Sequence, residues 1–328
     1  MGVSQDVVVA PARAALFLVG VVVPGREDVV RDLLEDLSGL RRSVSFRAPA
    51  EELTCVVGIG SAVWDRLFSG PRPQGLHPFV ELAGERHRAP ATPGDLLFHV
   101  RARRMDLCFE LARLIGDRLA HAVTVVDEVH AFKYFDERDL LGFVDGSENP
   151  EGRLAADSVY VGDEDPAFEG GSYVIVQKYL HDMAAWNALP ADEQDRVIGR
   201  TKFANVELPD DVKPADSHVA LTTVTDGNGD ERKIVRENMP FGSVGDGALG
   251  TYFIGYARTP DVTEQMLRNM FLGDGTASHD RILDFSTALT GCLFHVPTAT
   301  FLDDLPPAPD GSVATGGLGI GSLKGARP

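Results

Sequence analysis

Three short stretches of this chain carry side chains whose chemistry goes beyond packing. Gly142-Phe143-Val144-Asp145-Gly146-Ser147-Glu148-Asn149-Pro150 brackets an acid between two glycines in a turn-rich segment that also holds an aromatic residue. Ser217-His218 opens the run Val219-Ala220-Leu221-Thr222-Thr223-Val224, which sets an imidazole at the start of a strand or just before it. Val235-Arg236-Glu237-Asn238-Met239-Pro240-Phe241 places an arginine after a strand-like run. By type, a carboxyl can carry a proton, a neutral imidazole can ligate a metal, and a guanidinium keeps its charge at every working pH. Each also has an ordinary explanation: an Asp-Gly turn, a structural histidine, a surface ion-pair partner. None is a strong signal singly.

The elements that must position these groups are read from hydrophobic periodicity. Strands are expected at Ala14–Val23, Thr54–Ile59, Leu96–Val100 and Val123–Val129. Helices between them carry Val29, Val30, Leu33, Leu34 and Leu37 on one face, run over Ala62–Phe68 with Ser61 as N-cap, and carry Cys108, Leu111, Ile115 and Leu119 on another. After a loop around Gly142–Gly152 the rhythm restarts. Strands are expected at Ser172–Tyr179, Val219–Val224 and Thr251–Tyr256, with helices near Met183–Leu189, Ala191–Ile198, Val262–Phe271 and Ile282–Leu289 and a closing segment Leu293–Leu302. Irregular alternation favours α+β sheets with helices on one face over a doubly wound fold. Val57-Gly58-Ile59-Gly60-Ser61 has the look of a dinucleotide-binding turn, but Val63 stands where the third glycine belongs, so a tight strand-to-helix turn is the better reading.

Composition narrows the function classes. With 328 residues there is room for two domains, and 44% hydrophobic and 24% charged residues are ordinary for a globular protein. A net charge of −18 repels nucleic acid and anionic membranes unless a basic stripe compensates. The densest basic cluster, Arg101, Arg103 and Arg104, reads as a solvated rim. Cys55, Cys108 and Cys292 are widely spaced in apolar runs, as buried free thiols are in a reducing compartment. Asp6 precedes the first apolar run and no cleavage-site pattern follows it, so a cytoplasmic location is expected. No stretch approaches the roughly 20 apolar residues of a membrane span. Beyond Leu305 the Pro- and Gly-rich tail reads as flexible.

Taken together and in order, Gly142-x-x-Asp145-Gly146, Ser217-His218 and Arg236-x-Asn238 resemble the dye-decolourising peroxidase family, in its bacterial B-type branch. Gly171-Ser172-Tyr173, Gly199-Arg200-Thr201-Lys202, Phe253-Ile254-Gly255-Tyr256-Ala257-Arg258 and Leu283-Asp284-Phe285 also look like family segments, and the likeness extends to about residue 305. Leu318-Gly319-Ile320-Gly321-Ser322-Leu323-Lys324-Gly325 resembles the cargo-loading peptide of encapsulin shells.

The resemblance implies two ferredoxin-like domains of the dimeric α+β barrel superfamily, expected at 1–145 and 146–305, with a tail over 306–328. It implies haem b, with His218 as proximal iron ligand and Arg236 also against the cofactor. The second nitrogen of His218 would then donate to a carboxylate, with Asp280 and Asp284 as candidates. Asp145 would shuttle a proton of hydrogen peroxide, Arg236 would stabilise charge on the departing oxygen, and Asn238 would orient peroxide or a water. Aromatic, phenolic or dye donors, or Mn²⁺, would return the electrons. Trp64 and Trp186 read as core packing. A symmetric homo-oligomer inside an encapsulin nanocompartment is implied. The competing readings are a protein that handles haem or iron without turnover, and a cargo protein with a vestigial site.

Overall fold

The computed structural model describes residues 2–309, so the shell-targeting segment Leu318–Gly325 lies outside the described residues. Eight strands form the frame: β1 Ala14–Val22, β2 Thr54–Gly60, β3 Leu96–Ala102, β4 Val123–Phe132, β5 Ser172–His181, β6 Met239–Ser243, β7 Ala248–Ala257 and β8 Cys292–Val296. Two long helices, α1 Glu27–Ser45 and α2 Met105–Arg118, belong to the first half. In the second half are the single-turn α3 His218–Thr222 and the longer α4 Pro260–Leu272. The first half runs β2-β3-β1-β4, and the second repeats the order as β6-β7-β5-β8, all antiparallel. That is the ferredoxin-like order twice, as expected.

The halves join edge to edge. In β8 and β2, Phe294 pairs with Gly60 and His295 with Ile59, making one ten-stranded sheet. At the other end β6 packs alongside β4, so the sheet curls until its ends meet. The alternation of β1 shows the result. Ala14, Leu16, Leu18 and Val22 face the helical layer, while Ala15, Phe17 and Val19 face the interior of the curled sheet. Phe17 stacks there on Tyr252 at 4.1 Å and on His99 at 4.6 Å, and His99 Nδ1 lies 2.8 Å from Tyr256 Oη. On the outer face, α1 buries Val30, Leu33, Leu34 and Leu37, and acidic Glu27 and Asp28 in its first turn suit the helix dipole.

Several expectations need correction. Arg101 is not on a solvated rim: it points into the curled sheet, 1% exposed, and donates to Glu237 and to the carbonyl of Asp6. Arg103 and Arg104 are exposed and pair with Glu52 and Asp106. Val219–Val224 is not a strand. Ser217 Oγ accepts the Ala220 amide at 3.4 Å as an N-cap, and His218 opens a helical turn instead. Ile282–Leu289 is not a helix, because Asp280 caps only one 3₁₀ turn, Arg281–Asp284, before Ser286–Ala288 pairs with β5. Ser61 is the first helical residue rather than the cap, and Gly60 stands in the cap position without a side-chain bond.

The cysteines are free and buried as expected, and Trp64 and Trp186 are core residues at 1% and 0% exposure. Among the described residues no helix is long and apolar enough to cross a membrane.

Candidate active site

The second half holds a cavity between its sheet, α3 and α4, and His218, Asp145, Arg236 and Asn238 all line it. Residues spread over more than ninety positions of sequence thus converge on one space.

His218 is fixed from below. Its Nδ1 lies 2.7 Å from Asp280 Oδ2, a carboxylate with no exposed surface, while its Nε2 makes no hydrogen bond among the described residues and His218 itself borders the cavity. Asp284, the other candidate partner, is turned elsewhere, toward His87 and His279. Asp280 is rigid in turn, since its Oδ1 accepts the Ile282 amide at 2.9 Å and its own amide donates to Met270 O at 2.8 Å. A backbone bond from Arg281 to Asp216 and a side-chain bond from Asn269 to Leu221 O tie α3 to the same framework. Gly199, in a left-handed conformation (φ +90°), lies so close to α3 that a Cβ would meet Ser217 Oγ at 2.9 Å and Val219 Cβ at 3.1 Å. Glycine there lets the His218 turn sit against the end of helix Ala191–Ile198.

The Arg236 strand is tied to the segment that carries Asp145 through Asn149, whose amide donates to Gly146 O at 3.0 Å. The side chain of Asn149 grips the backbone of Arg236 at both ends, donating to its carbonyl at 2.6 Å and accepting from its amide at 3.0 Å. Asn238 donates to Asp145 Oδ1 at 3.4 Å and accepts from the Ile254 amide at 3.2 Å. Among the described residues the Arg236 guanidinium makes no hydrogen bond or ion pair, so its charge is available to whatever enters the cavity. A cation without a partner beside apolar walls invites an anionic or strongly polar ligand.

Leu141, Phe143, Ile234, Phe253, Leu267 and Met270 supply those walls. Among the further titratable groups that border the space are Asp139 and His181, for which the sequence carried no signal. Burial pushes the Asp139 carboxyl up to about 7; the amide of Phe143, 2.9 Å from Oδ1, opposes this and the charge of Asp145 adds to it. Burial pulls His181 down to about 4, and its ring nitrogens rest on Ser286 Oγ at 2.8 Å and Thr251 Oγ1 at 2.9 Å, so it is neutral at working pH. Asn149 was visible as part of the glycine-bracketed segment, but nothing local reveals that it clasps a strand far along the chain.

A family model described as Dyp-type peroxidase, N-terminal, matches residues 5–133, and one described as Dyp-type peroxidase, C-terminal, matches residues 136–301. A dye-decolorizing peroxidase of Rhodococcus erythropolis is 59% identical, over 98% of this chain and 97% of its own length. The encapsulated DyP-type peroxidase of Mycobacterium smegmatis, solved by cryo-EM, is 60% identical over 94% of this chain and 100% of its own, with a TM-score of 0.93. A variant of DypB from Rhodococcus jostii, solved in complex with heme, is 57% identical over 92% of this chain and 97% of its own, with a TM-score of 0.89.

Proposed function

The chain belongs to the Dyp-type peroxidase family and is a peroxidase; from that premise we propose that it reduces hydrogen peroxide at a haem b carried on His218. Dye, phenolic or other aromatic donors would be oxidised in return. The observation that carries this reading is the state of His218, with Nδ1 bound to a buried carboxylate and Nε2 left free at the cavity. A carboxylate-backed imidazole of this kind is a strong axial donor. The apolar walls suit a large planar macrocycle, and the unpaired Arg236 suits an anionic edge or a bound peroxide. When bound, haem supplies the redox chemistry that accompanies O–O cleavage.

The chain's own residues do the rest. Asp145 takes the proton from one peroxide oxygen and delivers it to the other, directly or through a water. Arg236 holds the peroxide and offsets negative charge on the departing oxygen with a cation that needs no reorganisation. Asn238, bonded to Asp145, orients that carboxylate and a neighbouring peroxide or water. Arg236 outranks Asp145 in this scheme, because water can replace a proton shuttle but not a fixed cation.

A structure of a DypB variant in complex with manganese supports Mn²⁺ as an alternative donor here. The encapsulated relative supports packaging in a cytoplasmic encapsulin shell through Leu318–Gly325, and a homo-oligomer would engage that shell through several tails at once.

Absorption and stopped-flow spectra of the haem-reconstituted protein test the reading. Wild type should show a histidine-ligated ferric spectrum that changes within seconds of one equivalent of peroxide, and His218→Ala should lose that ligation. Arg236→Leu should slow the change by about 100- to 1000-fold and Asp145→Ala by less. Haem that binds but is only bleached by peroxide would favour haem handling over turnover. A slower Asp145→Ala than Arg236→Leu would reverse the ranking of the two residues.

A further inference from the structure

Asp284, passed over by His218, lies in a second cluster of potential ligands. We propose that His87, His279 and Asp284 bind one divalent cation of the zinc class, outside the haem cavity, and that this cation clamps the first half of the chain to the turn that carries Asp280. His87 Nε2 stands 3.0 Å from Asp284 Oδ1, and His279 Nε2 stands 3.3 Å from the same oxygen. The three donor atoms lie within 4.8 Å of one another. A tetrahedral zinc centre with bonds of about 2.0–2.1 Å sets its donors about 3.3 Å apart. Only small side-chain adjustments therefore separate this cluster from a coordination shell. Two imidazoles and one carboxylate make a borderline set suited to zinc, with a fourth position open to water.

The Nδ1 side of His279 also has a partner. His279 Nδ1 lies 3.0 Å from Ser278 Oγ, and in the tautomer that donates to that hydroxyl the Nε2 lone pair is free to ligate a metal. Arg86, whose Nη1 is 3.9 Å from Asp284 Oδ1, is 64% exposed at its side chain and free to swing toward solvent.

Both ligand-bearing segments are pre-positioned. His87 sits on the hairpin of Leu82–Ala83 and Arg88–Ala89, where the Gly84 amide donates to His87 O at 3.0 Å. Gly84 rests directly on the end of α4, and a Cβ there would come within 2.0 Å of Phe271 O. Opposite, Asp274 Oδ1 accepts the amides of Thr276 and Ala277 and fixes the turn leading into His279. Asp280 follows immediately, so a cation here would brace the carboxylate that holds His218 without touching the haem cavity, which none of the three ligands lines.

The test uses the tag-free, full-length haem-loaded protein, stripped with a chelator, equilibrated with zinc chloride and desalted before metal analysis. Wild type should retain about one zinc per chain, and His87→Gln and Asp284→Asn should each retain close to none with haem content unchanged. Zinc should raise the melting temperature of wild type and not that of His87→Gln. Failure of wild type to retain zinc, or equal retention by the variants, would overturn the site and assign any bound metal to the acidic surface. Because the readout is retained zinc, it stands or falls independently of peroxide chemistry.

Discussion

The two halves share a strand order and differ in what covers it. In the first, α1 with 19 residues and α2 with 14 lie across the sheet and fill the space beneath with Leu33, Leu34, Leu111 and Ile115. In the second, the position of α1 is taken by Met183–Ala188, Ala191–Ile198 and α3, none longer than eight residues. Among the described residues only α4, with 13 residues, remains as a long cover, and its Leu267 and Met270 face a cavity. Breaking one helix into short turns thus does two things. It leaves a hollow in a fold whose twin is solid, and it frees one turn to present His218 at the hollow's edge.

The largest expected effect tests whether the halves are energetically separate at all. Arg101 comes from the first half and Glu237 from the second, and they meet inside the curled sheet next to Arg236 in sequence. Glu237→Ala should leave a buried guanidinium without its counter-charge and cost about 3–5 kcal/mol. Denaturant unfolding should shift as one transition, and two separated transitions would show the halves to be independent.

A contrast of two truncations comes next. Leu34→Ala opens a void in the solid half and should cost about 2–5 kcal/mol, whereas Met266→Ala enlarges a space that already exists and should cost about 1 kcal/mol. Equal costs would mean that the second half is as tightly filled as the first.

The smallest effect concerns charge in the hollow half. Because the folded Asp139 has a carboxyl raised to about 7, the native state holds that proton more tightly than the unfolded chain does. Stability should therefore fall as pH rises from about 4 to about 7 and level off above, and Asp139→Asn should remove that slope, gaining about 1–3 kcal/mol at pH 8. Thermal melts across pH would show it, and an unchanged slope would place its origin elsewhere.

Much of this arrangement was legible because it follows from local pattern. The period of β1 and the apolar stripe of α1 announce themselves within a few residues, and the three motif segments carry enough spacing to be matched as a set. What was not legible depends on partners far along the chain. Arg101 looks like a rim residue until Glu237, 136 positions away, is seen to neutralise it. Spacing alone offered Asp280 and Asp284 equally to His218, and only the capped turn at Arg281–Asp284 points one inward and the other outward. His87 is 197 positions from Asp284, a separation at which no ligand pattern can be recognised. The run from Val219 misled because β-branched residues favour strands by packing, and here a capped turn bonded to α4 overrides them.

The seam between β2 and β8 also bears on how the chain is made. Residues 54–60 leave the ribosome early, yet their outer neighbour is formed by residues 292–296, near the end of synthesis. Throughout that interval the first half presents an unpaired strand edge, together with an Arg101 whose counter-charge has not been synthesised. An open edge is a template for pairing with another chain, and partly made sheets of this kind self-associate. The nascent protein is therefore most exposed to misassembly in the window that closes when β8 docks, and a chain cut short before residue 292 would never leave it.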